Sequence, residues 1–444
     1  MTIYTTFLEK IFIWSLITEP FFYFILSSSE QTGVPLTLSK ILQLAFLIGY
    51  LFNFIFREKG IPRINLFHIN YIYITLFIIV SLIAGAYGLL SGAYHIHAVD
   101  ASTSSINKRA FLEIFIILYY FLYFFLFPIY IIRSRVQLRY LFTWIQRSMY
   151  FIIGVGLIEF ICYQFLLTNL IPRHLTDSSW VDVGNRFHSL LGEPRHAFVY
   201  IFFGIAFLFL KQAIEDKKTS LIMLYILILC AVLTKAFSGV AGIIFGLALL
   251  AIYTKVSLKN VIMLILISSV ALFGLVISVQ YSIRINDYFQ MMLTLPVMIN
   301  QVPLPYHLNA QAPELIPLWL FANRLIDIDL INALIGSGLT SSSYAINNFL
   351  GTLTVGNNSN AQLVRLIFDS GIIGTHLYLM IMISPLRRFL RLINFRNALV
   401  VWVSAILLIG ASFGIRSNLP LIYTGVLLAI ISNNLMDSKI NKNE

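Results

Sequence analysis

Long apolar runs alternate along the chain with shorter segments that carry charged or turn-forming residues. A helix needs roughly 20 predominantly apolar residues to cross the hydrocarbon core of a bilayer. On this criterion we predict about twelve transmembrane helices, near residues 7–26, 38–56, 69–90, 110–132, 148–167, 197–210, 219–233, 239–253, 261–279, 363–385, 398–413 and 420–435. The sixth, seventh and eighth runs are short for a full crossing, but the alternation of charge between the loops requires all three.

The composition agrees with a chain that is embedded in a membrane. Hydrophobic residues make up 59% of the 444 residues and charged residues only 11%, whereas soluble domains are about half apolar and about a quarter charged. The chain has two cysteines, which are too few for a disulfide framework. These values exclude a soluble enzyme, a disordered chain and a secreted disulfide-rich protein. They predict one all-α polytopic membrane domain over residues 1–444.

The loops between the predicted helices differ in positive charge. Most of the 30 Lys and Arg residues fall in alternate loops, whereas the intervening loops are longer in total and hold fewer. By the positive-inside rule the basic loops are cytoplasmic, and both termini are then cytoplasmic too. The net charge of +11 follows from this topology, so we do not infer a nucleic-acid-binding surface.

Two loops on the predicted outer side are long enough to carry function. The larger, residues 280–362, lies between the ninth and tenth predicted helices. It contains an apolar run from 315 to 335 that is interrupted by Arg324 and two aspartates, which predicts helices along the membrane interface. The smaller loop, 168–196, ends in a predicted helix start. We therefore expect the functional site on the outer side.

Five of the ionisable residues within predicted transmembrane helices stand out, because they lie in the outer half of their helices. They are Glu19, Glu113, Glu159, Arg365 and Asp369. Such residues usually face a cavity or a partner, because a charge in contact with lipid is costly. Arg365 and Asp369 are four residues apart and can pair on one helix face. The set predicts an outward-facing cavity; the alternative is that Arg365 and Asp369 form only a structural ion pair.

The segment before the sixth predicted helix combines a helix start with basic residues. Glu193 and Pro194 suit a first helical turn, since proline has a fixed φ and a carboxylate is favoured at the helix N-terminus. Arg195 and His196 oppose the helix dipole there, which indicates a compensating anion nearby. Together with Arg186 they form a candidate phosphate site without a metal. The alternative is that these arginines contact phospholipid headgroups.

Short motifs in the outer loops have a recognisable order. They are Arg186…Gly192-Glu193-Pro194…Ala197-Phe198, then Gly336-Ser337-Gly338, then Asn357-Asn358-Ser359-Asn360-Ala361-Gln362-Leu363, then Asp369-Ser370-Gly371-Ile372-Ile373-Gly374. With the predicted topology and the large late loop, this order resembles the O-antigen polymerase and ligase superfamily. Ligases of that superfamily carry a His in the polar cluster before the late helix, whereas this chain has Asn and Ser there. The departure favours the polymerase branch.

The resemblance implies a GT-C-like fold and metal-independent glycosyl transfer without a cofactor. Its substrates would be a donor and an acceptor glycan, each linked to undecaprenyl diphosphate, at the outer face of a bacterial inner membrane. The residues expected to act in catalysis are Arg186, Glu193, Arg195 and Arg324. The residues expected to bind substrate are Glu159, His188, His196, Asn360, Arg365 and Asp369. The expected product is an O-antigen or a capsule polysaccharide, and either Glu193 or Glu159 is expected near the acceptor hydroxyl.

Two other functions fit the sequence. A ligase would transfer the glycan to a lipid A core. A glycolipid flippase would also need many transmembrane helices, although transporters usually show two matching halves and sites near the bilayer midplane. Membrane lipids, a chain-length regulator and a flippase are the expected partners of a polymerase. No metal site is expected at Asp327 and Asp329, because side chains at i and i+2 of a helix diverge.

Overall fold

The structure, a computed structural model, describes most of the predicted helices. The residues that it describes are 6–21, 24–27, 36–56, 69–93, 113–167, 170–171, 186–215, 219–236, 243, 320–321, 330–350 and 362–436. The predicted helix at 261–279 lies outside these residues, as do nearly all of 239–253 and most of the loop 280–362.

The described part of the chain is almost entirely helical. Its helices are α1 (Phe7–Thr18), α2 (Leu38–Phe56), α3 (Ile69–Leu90), α4 (Glu113–Ile131), α5 (Arg135–Leu166), α6 (Pro194–Glu215), α7 (Leu221–Leu233), α8 (Leu330–Ile335), α9 (Ser341–Leu350), α10 (Gln362–Leu390), α11 (Phe395–Phe413) and α12 (Leu419–Ser432). A 3₁₀ turn at Ser189–Leu191 precedes α6. Two short strands, β1 (Ile25–Ser27) and β2 (Leu36–Thr37), pair antiparallel between α1 and α2.

Six of these helices are long and apolar enough to cross a bilayer, counted over the described residues: α3, α4, α5, α6, α10 and α11. Large apolar side chains on the outer faces of several helices are exposed, for example Ile48 and Phe52 on α2 and Phe151 and Ile158 on α5. In water such surfaces would be unfavourable, whereas in a bilayer they contact lipid. The prediction of an α-helical membrane protein is confirmed to this extent.

Two predicted helix boundaries differ most from the structure. The first helix was expected to span 7–26 but ends at Thr18, two residues before Pro20, and the chain then continues into β1. Proline has no N–H to continue the helical hydrogen bonding. The fifth was expected to begin near 148, but α5 begins at Arg135, where Ser134 and Gln137 form a capping box. Its 32 residues span about 48 Å, more than the hydrocarbon core needs.

The ends of α4 and α12 meet at one end of the bundle. Asn433 donates hydrogen bonds to the carbonyl oxygens of Ile129 and Ile132. Arg135 bonds the carbonyl oxygen of Met436. This end is called the basic end, because it carries Arg133, Arg135 at the start of α5, and Arg387 and Arg388 in the last turn of α10.

The starts of α4, α10 and α12 meet at the opposite end. Glu113 is the first described residue of α4, Arg365 lies in the first turn of α10, and Arg416 lies in the turn between α11 and α12. Both arginines contact Glu113. This end is called the cavity end. Between the two ends, α12 packs against α4, α6 and α10, and α10 packs along α3.

The contact between α4 and α12 depends on an irregular turn. Residues Phe121–Leu126 of α4 are π-helical, so this segment widens toward its neighbour. Gly425 of α12 lies directly against the carbonyl oxygen of Phe124, and a Cβ at position 425 would collide with this backbone. Phe12, Phe46, Tyr123 and other aromatic side chains fill the space on the far side.

We expect Gly425→Ala to destabilise the protein by about 2 kcal/mol or more, because neither backbone can move away without disturbing the packing. Thermal unfolding of the purified protein in detergent measures this. Gly154→Ala in α5 is the matched control, since nothing lies within 4 Å of its added Cβ. We expect that control to be neutral or slightly stabilising. Equal melting temperatures for the two variants would contradict the close approach.

Candidate functional site

A buried carboxylate joins three segments at the cavity end. Glu113 is 6% exposed, and its Oε1 atom contacts the guanidinium groups of both Arg365 and Arg416. The Nη2 atom of Arg416 lies 2.7 Å from this oxygen. One carboxylate oxygen therefore holds α4, α10 and the turn between α11 and α12 together.

Asp369 extends this contact into a chain of alternating charges. Its Oδ2 atom lies 3.3 Å from Nε of Arg365, four residues earlier in α10. The order of contact is Asp369, Arg365, Glu113 and Arg416, and the formal charges cancel. Mutual compensation is what allows charged groups to be buried at this depth. The predicted pairing of Arg365 with Asp369 is confirmed.

Asp369 also caps the start of α9. Its carboxylate accepts hydrogen bonds from the backbone N–H groups of Thr340 and Ser342, at 2.9 and 2.8 Å, and from the hydroxyl of Ser341 at 3.1 Å. A helix N-terminus leaves backbone N–H groups without partners within the helix, and a carboxylate both satisfies them and is favoured by the dipole. Asp369 therefore fixes the segment that precedes α9 onto α10.

Two glycines allow this segment to approach α10. Gly371 interrupts α10 with φ 65° and ψ −171°, and Gly336 has φ 83° in the turn after α8. A side chain at either position would collide with the backbone of the other segment. The break exposes backbone groups of α10, and the N–H groups of Ser337 and Gly338 donate to the carbonyl oxygens of Phe368 and Asp369. The predicted glycine motifs thus pack against each other.

The row of alternating charges borders a cavity of about 570 Å³, a volume that includes the open mouth. Its wall contains Glu113, Arg365, Asp369 and Arg416, together with aromatic and polar side chains that include Tyr120, Tyr378, Gln362 and Asn418. The side chain of Arg416 is 42% exposed, whereas that of Arg365 is 11% exposed. Of the two arginines, Arg416 is therefore the one whose guanidinium group is more accessible at the protein surface.

Glu19 lies next to this cavity in a separate hydrogen-bond network. Its carboxylate accepts from Ser39 at 2.6 Å, from Gln43 at 2.8 Å and from Asn418 at 2.8 Å. Tyr119 donates to the other end of the Gln43 amide. The network joins α1, α2 and α4 to the turn that carries Arg416, so Glu19 supports the wall of the cavity from behind.

Glu159 and His188 form a second buried pair. The Nε2 atom of His188 lies 3.2 Å from Oε1 of Glu159, and its Nδ1 atom lies 3.0 Å from the carbonyl oxygen of Ser189. The same Glu159 oxygen accepts the N–H of Ile171 at 3.1 Å. The pair fixes the loop before α6 to α5.

The other predicted residues of this loop lie nearer the surface. Arg186 donates to the carbonyl oxygens of Thr234 and Lys235, at 3.0 and 3.3 Å, and so caps the C-terminus of α7. Glu193 and Arg195 flank Pro194 and are 3.8 Å apart, with side chains 18% and 26% exposed. His196 follows in the first turn of α6 and is half-buried.

The structure therefore groups the predicted residues unevenly. Glu113, Arg365 and Asp369 come together at the cavity, and Glu159 and His188 come together below the α6 loop. Arg324 and Asn360 lie outside the described residues.

Sequence reasoning did not single out Arg416, Asn418 or Tyr120, which also border the cavity. By the predicted topology Arg416 is one of the few basic residues in the outer loops. Its position two residues before Asn418, in a short turn between two apolar runs, was the available signal.

Among the described residues, no three or more His, Cys, Asp or Glu side chains are arranged to hold a metal ion. A comparison of the chain with models of known protein families finds no match, and a comparison with curated proteins finds no significant relative.

We expect Asp369→Asn to destabilise the protein by about 3 kcal/mol, because the amide nitrogen would face a backbone N–H and Arg365 would lose a carboxylate. Thermal unfolding in detergent measures the effect. Ser404→Ala is the control: that hydroxyl is equally buried but bonds only the carbonyl of Val401 in its own helix, so its loss is expected to cost less than about 1 kcal/mol. Similar losses in both variants would contradict the capping role.

Proposed function

We propose that the protein is a membrane glycosyltransferase that polymerises oligosaccharide repeat units carried on undecaprenyl diphosphate. In this proposal the chain has about twelve transmembrane helices in a GT-C-like arrangement, with both termini in the cytoplasm and the cavity open to the periplasm. The product is a surface polysaccharide, either O-antigen or capsule.

The observation that carries the proposal is the cavity lined by Arg365 and Arg416 at one end of the bundle. The basic end lies opposite, and by the positive-inside rule it is the cytoplasmic end. The cavity is then on the outer side, where the lipid-linked repeat units would enter. Its wall carries two guanidinium groups and aromatic side chains, which suit a diphosphate and sugar rings respectively.

Glycosyl transfer needs a group that stabilises the departing diphosphate. Negative charge develops on its oxygen as the bond to the sugar breaks, and preorganised arginines stabilise that charge without a metal. Carboxylates hold Arg365 and Arg416 in position at the cavity. The proposal keeps Arg195 and His196, in the first turn of α6, as further cations on the outer side of the membrane. Arg186 orders the loop before α6 by capping α7.

A glycolipid flippase is the second candidate, because α10 is interrupted at Gly371 beside the charged residues. Transporters often bind their substrates at interrupted helices of this kind. A ligase that uses a lipid A core as acceptor stays an alternative within the enzyme class. For a polymerase, the expected partners are membrane lipids, a chain-length regulator and a separate flippase.

The proposed orientation is testable with single cysteines in a chain in which Cys162 and Cys230 are replaced by Ala. We expect a cysteine at Ser417, on the cavity wall, to react with a membrane-impermeant maleimide in spheroplasts. A cysteine at Leu392, 44% exposed in the turn between α10 and α11, should react only after the membrane is permeabilised. The reverse pattern would place the cavity on the cytoplasmic side.

The proposed activity is testable with purified protein in liposomes that contain lipid-linked repeat units. We expect glycan chains to grow at the same rate with and without EDTA, and Arg416→Ala to slow growth about 100-fold through loss of a cation at the cavity. Gel separation of the products measures chain length. Arg139→Ala removes an exposed arginine near the basic end and is the control that should keep the wild-type rate.

The outcomes separate the candidates. Absence of chain growth without EDTA contradicts the polymerase, and growth that stops with EDTA contradicts the metal-independent chemistry. Movement of a lipid-linked probe across the bilayer without chain growth would favour the flippase.

A further inference from the structure

We propose that α5 carries a binding site for one anionic phospholipid, in which Arg147 holds the phosphate and the apolar face that follows along the helix holds an acyl chain. That face consists of Phe151, Gly154 and Ile158. The site is separate from the cavity and does not depend on the transfer reaction.

The sequence of α5 changes character at Arg147. The apolar run begins with the next residue, Ser148, whereas the preceding part of the helix carries Arg135 and Arg139. The apolar part, residues 148–166, is about 28 Å long, which matches the hydrocarbon core of a bilayer. Arg147 therefore lies where the helix passes from the hydrocarbon core into the headgroup region, and a long basic side chain there reaches the headgroups.

An aromatic cluster lies at the same level as Arg147. The ring centroids of Trp14 on α1 and Trp144 on α5 are 4.6 Å apart, and the indole N–H of Trp14 donates to the hydroxyl of Tyr140 at 3.3 Å. Such side chains are enriched at the boundary between hydrocarbon and headgroups. The cluster and the end of the apolar run thus indicate the same depth in the membrane.

The contact between Arg147 and Trp144 leaves the arginine able to bind an anion. The guanidinium carbon lies 5.0 Å from the centroid of the Trp144 ring. This cation–π contact uses the face of the planar guanidinium, whereas a phosphate binds to the N–H donors along its edge. Arg147 is exposed, so a headgroup can reach these donors.

A second cation reaches the same turn of α5. Lys211 of α6 donates to Oε1 of Gln146 at 2.9 Å, and the Gln146 amide donates to the hydroxyl of Tyr150. An ammonium group has three donors, and this bond uses one of them. Within the described part of the chain, neither Arg147 nor Lys211 forms an ion pair with a carboxylate. Both cations are therefore available to one anionic headgroup.

The apolar face indicates that the anion belongs to a lipid. Phe151, Gly154 and Ile158 follow Arg147 at helical spacing and share its face. Phe151 and Ile158 are 60% and 63% exposed, while a Cβ added at Gly154 would meet nothing within 4 Å. The glycine leaves a shallow groove between two large side chains, in which an acyl chain can lie. A free phosphate ion would make no contact with this face.

The test is native mass spectrometry of the purified full-length protein in detergent, with phosphatidylglycerol and phosphatidylcholine as probes. We expect the wild type to bind one phosphatidylglycerol about tenfold or more tightly than phosphatidylcholine, because the choline group adds a cation beside Arg147 and Lys211. In Arg147→Ala we expect the affinity for this phosphatidylglycerol to fall about tenfold, through loss of a charge-assisted bond to the phosphate.

Two further variants separate the site from general effects of charge. Arg396→Ala is the matched control, since it removes an exposed arginine in the first turn of α11, at the same end of the bundle. It should bind phosphatidylglycerol like the wild type. Gly154→Leu fills the groove without a change of charge, and we expect it to weaken binding about threefold or more.

Each result decides for or against the site. Weaker binding in Arg147→Ala and Gly154→Leu, with retention in Arg396→Ala, supports it. Wild-type affinity in Arg147→Ala or in Gly154→Leu overturns it, and so does an equal loss in Arg396→Ala, because binding would then follow total charge. Equal affinity of the wild type for the two lipids, or displacement of phosphatidylglycerol by excess inorganic phosphate, also overturns it.

The melting temperature without added lipid checks the fold of each variant. If Arg147→Ala does not fold, the comparison passes to Arg147→Lys and Arg147→Gln, which keep a long side chain and differ in charge. Tighter binding of phosphatidylglycerol by the lysine variant supports the site. Equal binding by the two, or failure of both to fold, overturns it.

Discussion

The sharing of one carboxylate oxygen by two arginines is the constraint on which this end of the molecule depends. Glu113, Arg365 and Arg416 come from three separate segments, and none of these charges is tolerable alone in a low-dielectric surrounding. Compensation therefore requires the starts of α4 and α10 to meet the turn before α12. The cavity is the space left between these helices once their charged ends are brought together, and its polar wall follows from the same requirement.

A second requirement, close backbone approach, completes the arrangement. Arg365 needs Asp369 on the same helix face, while Asp369 needs the N–H groups that precede α9. Both contacts of Asp369 are possible only because α10 is broken at Gly371 and the opposing turn has Gly336. At these two glycines no side chain separates the backbones. The break and the ion pair thus support each other. If α10 were continuous, the carbonyl oxygens of Phe368 and Asp369 would bond within the helix. The N–H groups of the turn after α8 would then lose these acceptors.

The sequence predicted those parts of the fold that depend on local pattern. The limits of α2 and α3 match the predicted runs 38–56 and 69–90, because each run is bounded by polar residues and has no competing signal. Residues 135–147 were placed in a cytoplasmic loop because they are basic, yet a capping box at Ser134 starts α5 there. The pairing of Arg365 with Asp369 followed from their spacing. The contact between Glu113 and Arg416 could not be predicted from spacing, because these residues are 303 positions apart in the sequence.

The two contacts between α4 and α12 have a mechanical consequence. These helices are tied at the cavity end through Glu113 and Arg416, and at the basic end through Asn433 and the carbonyl groups that end α4. Between these ties the π-helical turn fits against Gly425, which fixes the axial register of the pair. The two helices are thus held together near both ends and along their middle. The wall that α10 contributes belongs to a helix that is interrupted at Gly371, so two helical segments rather than one continuous helix support it.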